Sequence, residues 1–342
     1  MTSLPPPPTT DAPAVTPMAF ARAMVWAYEQ RGMDPGKALA QAQIAPEQLH
    51  QPNARITAWQ MERISDAAMR ELDDEGLGCF GRRLPWGSYG MLARASLSAP
   101  QLGLALHRWC RHHSLLTDDI ALTVETGGDT ARIALRPHRN PKPPTEFCVV
   151  SVLRNIHGLA SWYIDSRIPL KGAQFAYSPP PHLDAYRVLF DGPCTFDAAH
   201  AAIEFDARYL ALPVQRDELA MTQLLQRALP LTVRSYRRDR LLVQRVRQVL
   251  LAQPLGAHNA DDLAALLNLS ARTLHRQLKL EGASLQALKD EVRRDRSMEL
   301  LQRTAKPIKQ VAEAAGFLNE KSFIRAFKGW TGMAPGEWRA SR

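Results

Sequence analysis

Two short segments near the end of the chain carry side chains that can form hydrogen bonds with the edges of nucleic-acid bases. Ser270 precedes the first segment and Asn319 precedes the second, and both are residue types that cap the start of a helix. The positions predicted to face outward are Arg272, His275, Arg276 and Lys279 in the first segment and Glu320, Lys321 and Arg325 in the second. An arginine can bridge O6 and N7 of guanine, a contact worth about 1–3 kcal/mol of base discrimination. A helix that exposes arginine and histidine therefore suits the major groove of DNA.

The first segment lies in a helix–turn–helix pattern over residues 260–281. Asp261 and Asp262 fit the start of its first helix, where acidic side chains offset the positive end of the helix dipole. Residues 268–270 supply the turn, and Gly282 fits the C-cap of a second helix that ends near residue 280. The residues predicted to be buried are Leu263, Leu266, Leu267, Leu274 and Leu278.

A long helix and a second helix–turn–helix pattern are predicted downstream. The long helix starts at Ser284 and runs to about residue 302, and its three arginines favour a solvated or phosphate-facing surface over base recognition. Those arginines are Arg293, Arg294 and Arg296. The second pattern opens at Pro307, a favoured first helical position, and its outward-facing helix covers about 320–329. The residues predicted to be buried in it are Ile308, Val311, Ala312, Ala315, Phe323 and Phe327.

The end of the chain resembles the second helix-turn-helix of the AraC/XylS family of transcription regulators. The matching residues are Gly316-Phe317, Phe323, Phe327-Lys328, Gly332, Pro335 and Trp338-Arg339. The resemblance implies an all-α domain in which a long helix rigidly joins two helix-turn-helix units. It also implies that outward positions of each second helix face bases. On this chain the matched positions are Arg272, His275 and Arg276 in the first unit and Glu320, Lys321 and Arg325 in the second.

Glu320 is the least suited of these six positions to contact DNA. A carboxylate near the phosphate backbone is repelled unless it accepts a hydrogen bond from N4 of cytosine. For each of the six side chains, contact with phosphate or with water is the alternative to contact with a base.

The excess positive charge of the chain is confined to its last third. Residues 234–342 contain 21 lysines and arginines and 11 acidic residues. Residues 1–233 contain 22 lysines and arginines and 23 acidic residues. A near-neutral part joined to a basic part is typical of a regulator that binds a small molecule at one end and a polyanion at the other. On charge alone, a basic solvated face without a partner is the alternative.

Residues 18 to about 220 combine helical and alternating patterns, which predicts an α+β domain. Helices are predicted from residue 18 to Gly32, over 57–72, 101–116 and 146–163, and from about 182. Two alternating runs flank Gly127-Gly128-Asp129 and predict a β-hairpin, and short strands are predicted over 173–177 and 202–205.

The same region resembles the arabinose-binding-like domain found in one branch of the AraC/XylS family. The matching segments are residues 90–93, 100–106, 175–180, 186–190 and 203–206. The resemblance implies that this domain senses a small-molecule effector and forms a homodimer, without implying that the effector is arabinose.

The sequence therefore predicts four parts. Residues 1–17 are proline-rich and are predicted to form a disordered tail. Residues 18–222 form the effector-binding and dimerisation domain, residues 223–236 the linker, and residues 237–342 the AraC-type DNA-binding domain.

Other side-chain patterns argue against metal, redox or catalytic chemistry. The four cysteines are at least 31 residues apart, which favours reduced, buried thiols over a zinc ribbon or a thioredoxin-type site. His107, His112 and His113 precede Asp118-Asp119, but adjacent histidines on a helix diverge by about 100°, which disfavours a shared metal ion. P-loop, dinucleotide-binding and nucleophile-elbow motifs are absent from the sequence. We therefore predict no catalytic residue, no metal and no cofactor.

Five tryptophans in the first 222 residues favour core packing, with an effector pocket as the alternative for some of them. They are Trp26, Trp59, Trp86, Trp109 and Trp162. The first residues lack the pattern of a signal peptide, and no apolar run approaches the length of a membrane span, so the sequence predicts a cytoplasmic protein.

These observations predict a sequence-specific DNA-binding transcription regulator whose partners are an operator in double-stranded DNA and a small-molecule effector. The family resemblance adds contact with RNA polymerase and favours activation of transcription. Two alternatives stay open: a metabolic enzyme with an appended basic module, and an architectural protein that binds DNA without sequence preference.

Overall fold

The computed structural model describes residues 14–51, 53–138, 144–225, 241–252 and 259–340. The chain divides into two compact units, Met1–Asp239 and Arg240–Arg342. The predicted tail up to residue 13 and the predicted linker from residue 226 onward lie outside the described residues. Of the three boundaries between the four predicted parts, those at 222/223 and 236/237 stay predictions.

The N-terminal unit combines helices with a five-stranded and a two-stranded sheet. Its strands are β1 (Ala14–Pro17), β2 (Arg55–Thr57), β3 (Ile120–Gly127), β4 (Thr130–Pro137), β5 (Leu170–Gln174), β6 (Cys194–Thr195) and β7 (Ala201–Asp206). Its helices are α1 (Met18–Glu29), α2 (Gly36–Gln41), α3 (Ala58–Glu71), α4 (Ser88–Leu97), α5 (Leu102–His113), α6 (Glu146–Tyr163), α7 (Leu183–Leu189) and α8 (Glu218–Leu225). The described residues of this unit also form two 3-10 helices, Pro46–His50 and Ala207–Ala211. The α+β prediction is confirmed.

The five-stranded sheet has the order β3-β4-β7-β5-β6. Its pairs are antiparallel except for β5 and β6, which are parallel. The predicted hairpin is present: Gly127 pairs with Thr130, and Gly128 takes a φ of +59°, which glycine adopts at little cost. Helix α6 packs on β4 and β7, and its bounds are those predicted from the apolar spacing.

Residues 14–17 do not belong to a tail, contrary to the prediction. They form β1, which pairs antiparallel with β2 through Ala14–Thr57 and Thr16–Ile56. Composition suggested disorder because proline cannot propagate a helix, but Val15 and Thr16 favour extended backbone and Pro17 lies at the strand end. A partner strand forty residues downstream was not visible in local composition.

The strand predicted over 173–177 is displaced toward the N-terminus. The strand in the structure is β5, which ends at Gln174. Phe175 is fully buried, and its ring lies 5.0 Å from that of Tyr186 and 5.1 Å from that of Phe190.

The tryptophans and cysteines divide between core and surface. Trp109 and Trp162 are buried, whereas Trp26 and Trp86 are 50% and 42% exposed. The prediction of core packing is therefore wrong for Trp26 and Trp86. Trp86 instead lies under the guanidinium of Arg70, 4.1 Å from the ring centroid. All four cysteines are free thiols; Cys110 and Cys148 are buried, and Cys79 and Cys194 are partly exposed.

Among the described residues of the C-terminal unit, the regular secondary structure is helical. They form α9 (Leu241–Ala252), α10 (Ala260–Leu266), α11 (Ala271–Leu280), α12 (Leu285–Arg303), α13 (Ile308–Ala314), α14 (Glu320–Thr331) and α15 (Pro335–Ala340). Two apolar clusters form the core of this unit. The first joins α9, α10, α11 and the start of α12, and the second joins the end of α12 with α13, α14 and α15. Among the described residues, no helix is long and apolar enough to cross a membrane.

Three details of the C-terminal unit differ from the sequence prediction. Leu266 is 47% exposed rather than buried, because Leu263 and Leu267 fill the inner face of this short helix and Leu266 points away from them. Pro307 precedes α13 with a ψ of 148° instead of occupying its first helical position, and its carbonyl accepts from Val311 N at 3.0 Å. Helix α14 continues two residues past Gly329 and ends where Gly332 takes a φ of +78°.

Candidate nucleic-acid interface

The turn between α10 and α11 is fixed by side-chain caps at both helix starts. Asn259 Oδ1 accepts from the backbone N–H of Asp262 at 2.8 Å, and Ser270 Oγ accepts from that of Thr273 at 3.1 Å. Asn268 takes a φ of +56°, a conformation that asparagine tolerates better than most residues, and this reverses the chain between the helices. The predicted turn and the Ser270 cap are confirmed.

Helix α11 has one buried and one basic face. Leu274 and Leu278 are fully buried in the first apolar cluster. The exposed face carries the side chains of Arg272, His275, Arg276 and Lys279. Within the described part of the chain, none of these four makes a hydrogen bond or an ion pair through its side chain, so their polar ends are available to an external acceptor.

Helix α14 repeats this arrangement in the second cluster. Asn319 Oδ1 accepts from the backbone N–H of Ser322 at 2.8 Å, which confirms the predicted cap. Phe323 and Phe327 are fully buried, and Phe327 lies 5.8 Å from Trp338 in an edge-to-face contact. Glu320, Lys321 and Arg325 are exposed, again without an internal side-chain partner among the described residues.

The three arginines of α12 are engaged with the protein itself. The guanidinium of Arg293 lies 5.1 Å from the centroid of the Phe317 ring. Arg294 forms an ion pair of 3.0 Å with Asp295, and Arg296 donates to the carbonyl of Leu251 at 3.3 Å. That these arginines face solvent or phosphate rather than bases stays a prediction.

Leu318 is a residue of this surface that sequence reasoning missed. Its side chain is 86% exposed, although it lies between the buried Phe317 and the Asn319 cap at the start of α14. An apolar residue immediately before a helix cap, outside the buried stripe, is the sequence signal that could have identified it. Its position places an apolar side chain beside the polar end of α14, where a thymine methyl group is a suitable contact.

The histidines near the end of α5 do not form a metal site with their acidic neighbours. The part of the chain that the structure describes contains no group of three potential metal ligands from His, Cys, Asp and Glu. His113 is buried beside Phe80 and Trp109, with ring centroids at 5.8 and 5.1 Å. Asp119 instead accepts from the backbone N–H of Gly81 at 2.5 Å.

Two buried histidines are expected to make the N-terminal unit sensitive to acid. Burial lowers the pKa of His113 to about 4 and that of His157 to about 4, so both are neutral in the folded protein. In the unfolded chain the same two histidines bind protons below about pH 6.5. Their contribution to the stability of the folded protein is therefore complete above that pH and is lost as the pH falls toward about 4. Each histidine should cost on the order of 1–2 kcal/mol of stability at pH 5.

The measurement is thermal unfolding at pH 7 and pH 5. The variant His113→Phe should reduce the difference between the two melting temperatures, because it removes one of the two groups. His107→Phe is the matched control, since His107 lies exposed on the same helix. An equal effect of the two substitutions would contradict the assignment.

Comparison with known proteins settles the family. Residues 32–214 match the family model for the arabinose-binding domain of AraC transcription regulators, and residues 263–341 match a helix-turn-helix domain. The chain belongs to the AraC family of transcription regulators. The resemblances stated for both halves of the sequence are thereby confirmed.

Two sequence relatives are similar to this chain over nearly their whole length. The ornithine utilization regulator of Pseudomonas aeruginosa is 26% identical over 328 residues, covering 95% of this chain and 96% of the relative. The regulator VirS of Mycobacterium tuberculosis is 26% identical over 347 residues, covering 92% of this chain and 95% of VirS. The crystal structure of the regulator CdpR from Pseudomonas aeruginosa aligns over 92% of this chain and 98% of its own, with 22% identity and a TM-score of 0.32.

Proposed function

We propose that this AraC-family regulator recognises its operator through two helix-turn-helix units, α10–α11 and α13–α14, joined by α12. The observation that supports this most strongly is the repeated design of α11 and α14. Each is capped by a polar side chain, buries two apolar residues and leaves basic side chains without an internal partner among the described residues. Such helices suit the major groove.

The length of α12 agrees with contact at two successive grooves. Nineteen residues at about 1.5 Å per residue make a helix of roughly 28 Å. Successive major grooves on one side of DNA lie about 34 Å apart. We assign base or groove contacts to Arg272, His275 and Arg276 in the first groove and to Glu320, Lys321 and Arg325 in the second.

The N-terminal unit is the proposed effector sensor. An effector can shift the regulator between states only if it binds one of them more tightly. The name of the Pseudomonas relative makes L-ornithine one compound to test, although sequence identity to that relative is only 26%. Homodimerisation, activation through RNA polymerase and a cytoplasmic location are proposed by analogy with the family.

The test is capture of the genomic fragments that the full-length protein binds in its own cells, followed by measurement of affinity against salt concentration. A recurring motif with two recognition elements about one helical turn apart is expected. Fragments without a common motif, and equal affinity for a scrambled site, would favour the architectural alternative. Turnover of a candidate ligand by the purified full chain would favour the enzyme alternative.

A further inference from the structure

The N-terminal unit contains a cavity of about 130 Å³ that none of its predicted motifs explains. Strand β1, the loop after α3 and helices α1, α3, α4, α6 and α7 all contribute to its wall. Most of the side chains in the wall are apolar, and its aromatic and thioether members are Phe20, Met61, Met69, Phe80, Tyr89 and Phe147.

We propose that this cavity is the effector site and that it takes a small, uncharged, apolar molecule with about the bulk of one aromatic ring and at most one hydroxyl group. The proposal rests on the proposed function, because it names the class of effector and the place where it binds. An apolar cavity of about 150 Å³ is known to accommodate benzene, so a cavity of this volume has room for one ring.

The charged side chains of the wall argue against a charged effector. Both carboxylate oxygens of Glu75 already accept backbone hydrogen bonds, from Gly87 N at 2.8 Å and from Tyr89 N at 2.7 Å. Arg154 donates through Nη1 to the carbonyl of Leu189. A carboxylate or ammonium group entering this space would lose its hydration while meeting side chains that are already bonded to the backbone, and that loss is costly.

One wall residue is suited to recognise a single polar group. Ser65 is 1% exposed, and its hydroxyl is 3.7 Å from the sulfur of Met24, a weak acceptor. A ligand hydroxyl would be a stronger partner for this buried hydroxyl than the thioether. The site therefore favours a phenol-like molecule over the corresponding hydrocarbon.

The loop that forms one side of the cavity is held in place before any ligand arrives. The carboxylate of Asp74 is buried and accepts from the backbone N–H groups of Gly76, Gly78 and Leu84 at 2.9–3.0 Å. It also pairs with Arg31 at 2.6 Å. A largely preformed wall is typical of small-molecule sites, because little ordering is then required on binding.

The same wall adjoins α8, the last described helix of the N-terminal unit. Tyr89 lines the cavity, and the next residue, Gly90, packs so closely on α8 that an added Cβ would lie 3.3 Å from Leu225 Cδ1. Arg94 and Glu218 form an ion pair of 2.7 Å between the same two helices. A ligand that shifts Tyr89 would thus act on α8, which precedes the DNA-binding unit in the sequence.

The test is calorimetric titration of the full-length protein with phenol, toluene, benzoate and L-ornithine. We expect phenol to bind more tightly than toluene, and benzoate and L-ornithine to bind at least about tenfold more weakly than phenol. Benzoate or L-ornithine binding as tightly as phenol, or an absence of heat with phenol, would overturn the proposal.

Two variants locate the site. Ala58→Leu adds bulk at the cavity wall and should weaken phenol binding about tenfold or more, whereas Ala40→Leu, on the exposed face of α2, should leave it unchanged. Ser65→Ala removes the buried hydroxyl and should abolish the preference for phenol over toluene, while the volume of the cavity stays nearly the same. Phenol affinity that survives both Ala58→Leu and Ser65→Ala would contradict the assignment.

Operator binding without ligand separates this proposal from the function it rests on. A chain that binds its operator with a defined motif but ignores phenol would overturn the cavity assignment alone. A chain that binds phenol in this cavity but shows no DNA motif would overturn the proposed function instead.

Discussion

Replacement of Leu274 by aspartate is expected to unfold the first apolar cluster of the C-terminal unit. Leu274 is fully buried on α11 and packs with leucines of α9, α10 and α12. The substitution removes burial worth about 1.5–3 kcal/mol and places an unpaired carboxylate in an apolar core. The combined cost of several kcal/mol is a large share of the stability of an ordinary domain.

Urea unfolding followed by far-UV circular dichroism measures this effect on the full-length protein. Leu266→Asp is the matched control, because Leu266 is also a leucine of this helix–turn–helix pattern but is 47% exposed. The control should stay within about 0.5 kcal/mol of the parent protein. A Leu274→Asp protein that unfolds cooperatively at the parental midpoint would show that the assigned packing of α11 is incorrect.

The helices that sequence predicted most accurately are those whose signals are local. Helix α11 follows a serine cap, alternates buried leucines with charged residues and ends before Gly282, which takes a φ of +74°. Each signal lies within four residues of the feature it determines, so the bounds follow from neighbouring residues alone. The same reasoning applies to the Asn319 cap of α14.

Leu266 marks the limit of reasoning from periodicity. Three leucines at positions 263, 266 and 267 are all compatible with one helical face, and the apolar pattern cannot rank them. The structure buries Leu263 and Leu267 because the neighbouring helices contact that side of the short α10. The direction from which a helix is covered is a tertiary property that the local pattern does not contain.

The features of the candidate effector site depended on contacts between distant residues. Asp74, whose carboxylate holds the loop, pairs with Arg31, which lies 43 residues earlier in the chain. The cavity joins β1 with residues of α7, about 170 positions away. The sequence analysis left an effector pocket open for some of the tryptophans, but none of the five lines this cavity.

The second large effect is expected at the proposed base contacts. Arg276→Ala and Arg325→Ala should each weaken binding to the operator by about 1–3 kcal/mol and relax base preference at one or two positions. Both side chains are exposed and, among the described residues, have no internal partner. Neither substitution removes a folding contact, so the loss should appear in DNA affinity while the melting temperature stays unchanged.

Affinity for the operator and for a scrambled site of equal length measures the effect, with Arg294→Ala as control. Arg294 is paired with Asp295 on α12 and should not contribute to base preference. If Arg276→Ala and Arg325→Ala both keep the parental affinity for the operator, the placement of the recognition helices is wrong. The two losses should affect different base positions, because the two helices are proposed to occupy different grooves.

Arg276→Lys and Arg325→Lys distinguish a base contact from a phosphate contact. Lysine keeps the charge but lacks the planar fork that bridges O6 and N7 of guanine. If the arginines read bases, lysine should restore part of the affinity and the salt dependence while base preference stays relaxed. If they contact phosphate, the alanine variants should keep base preference and lysine should restore affinity, because phosphate contacts depend on charge and carry no direct sequence information.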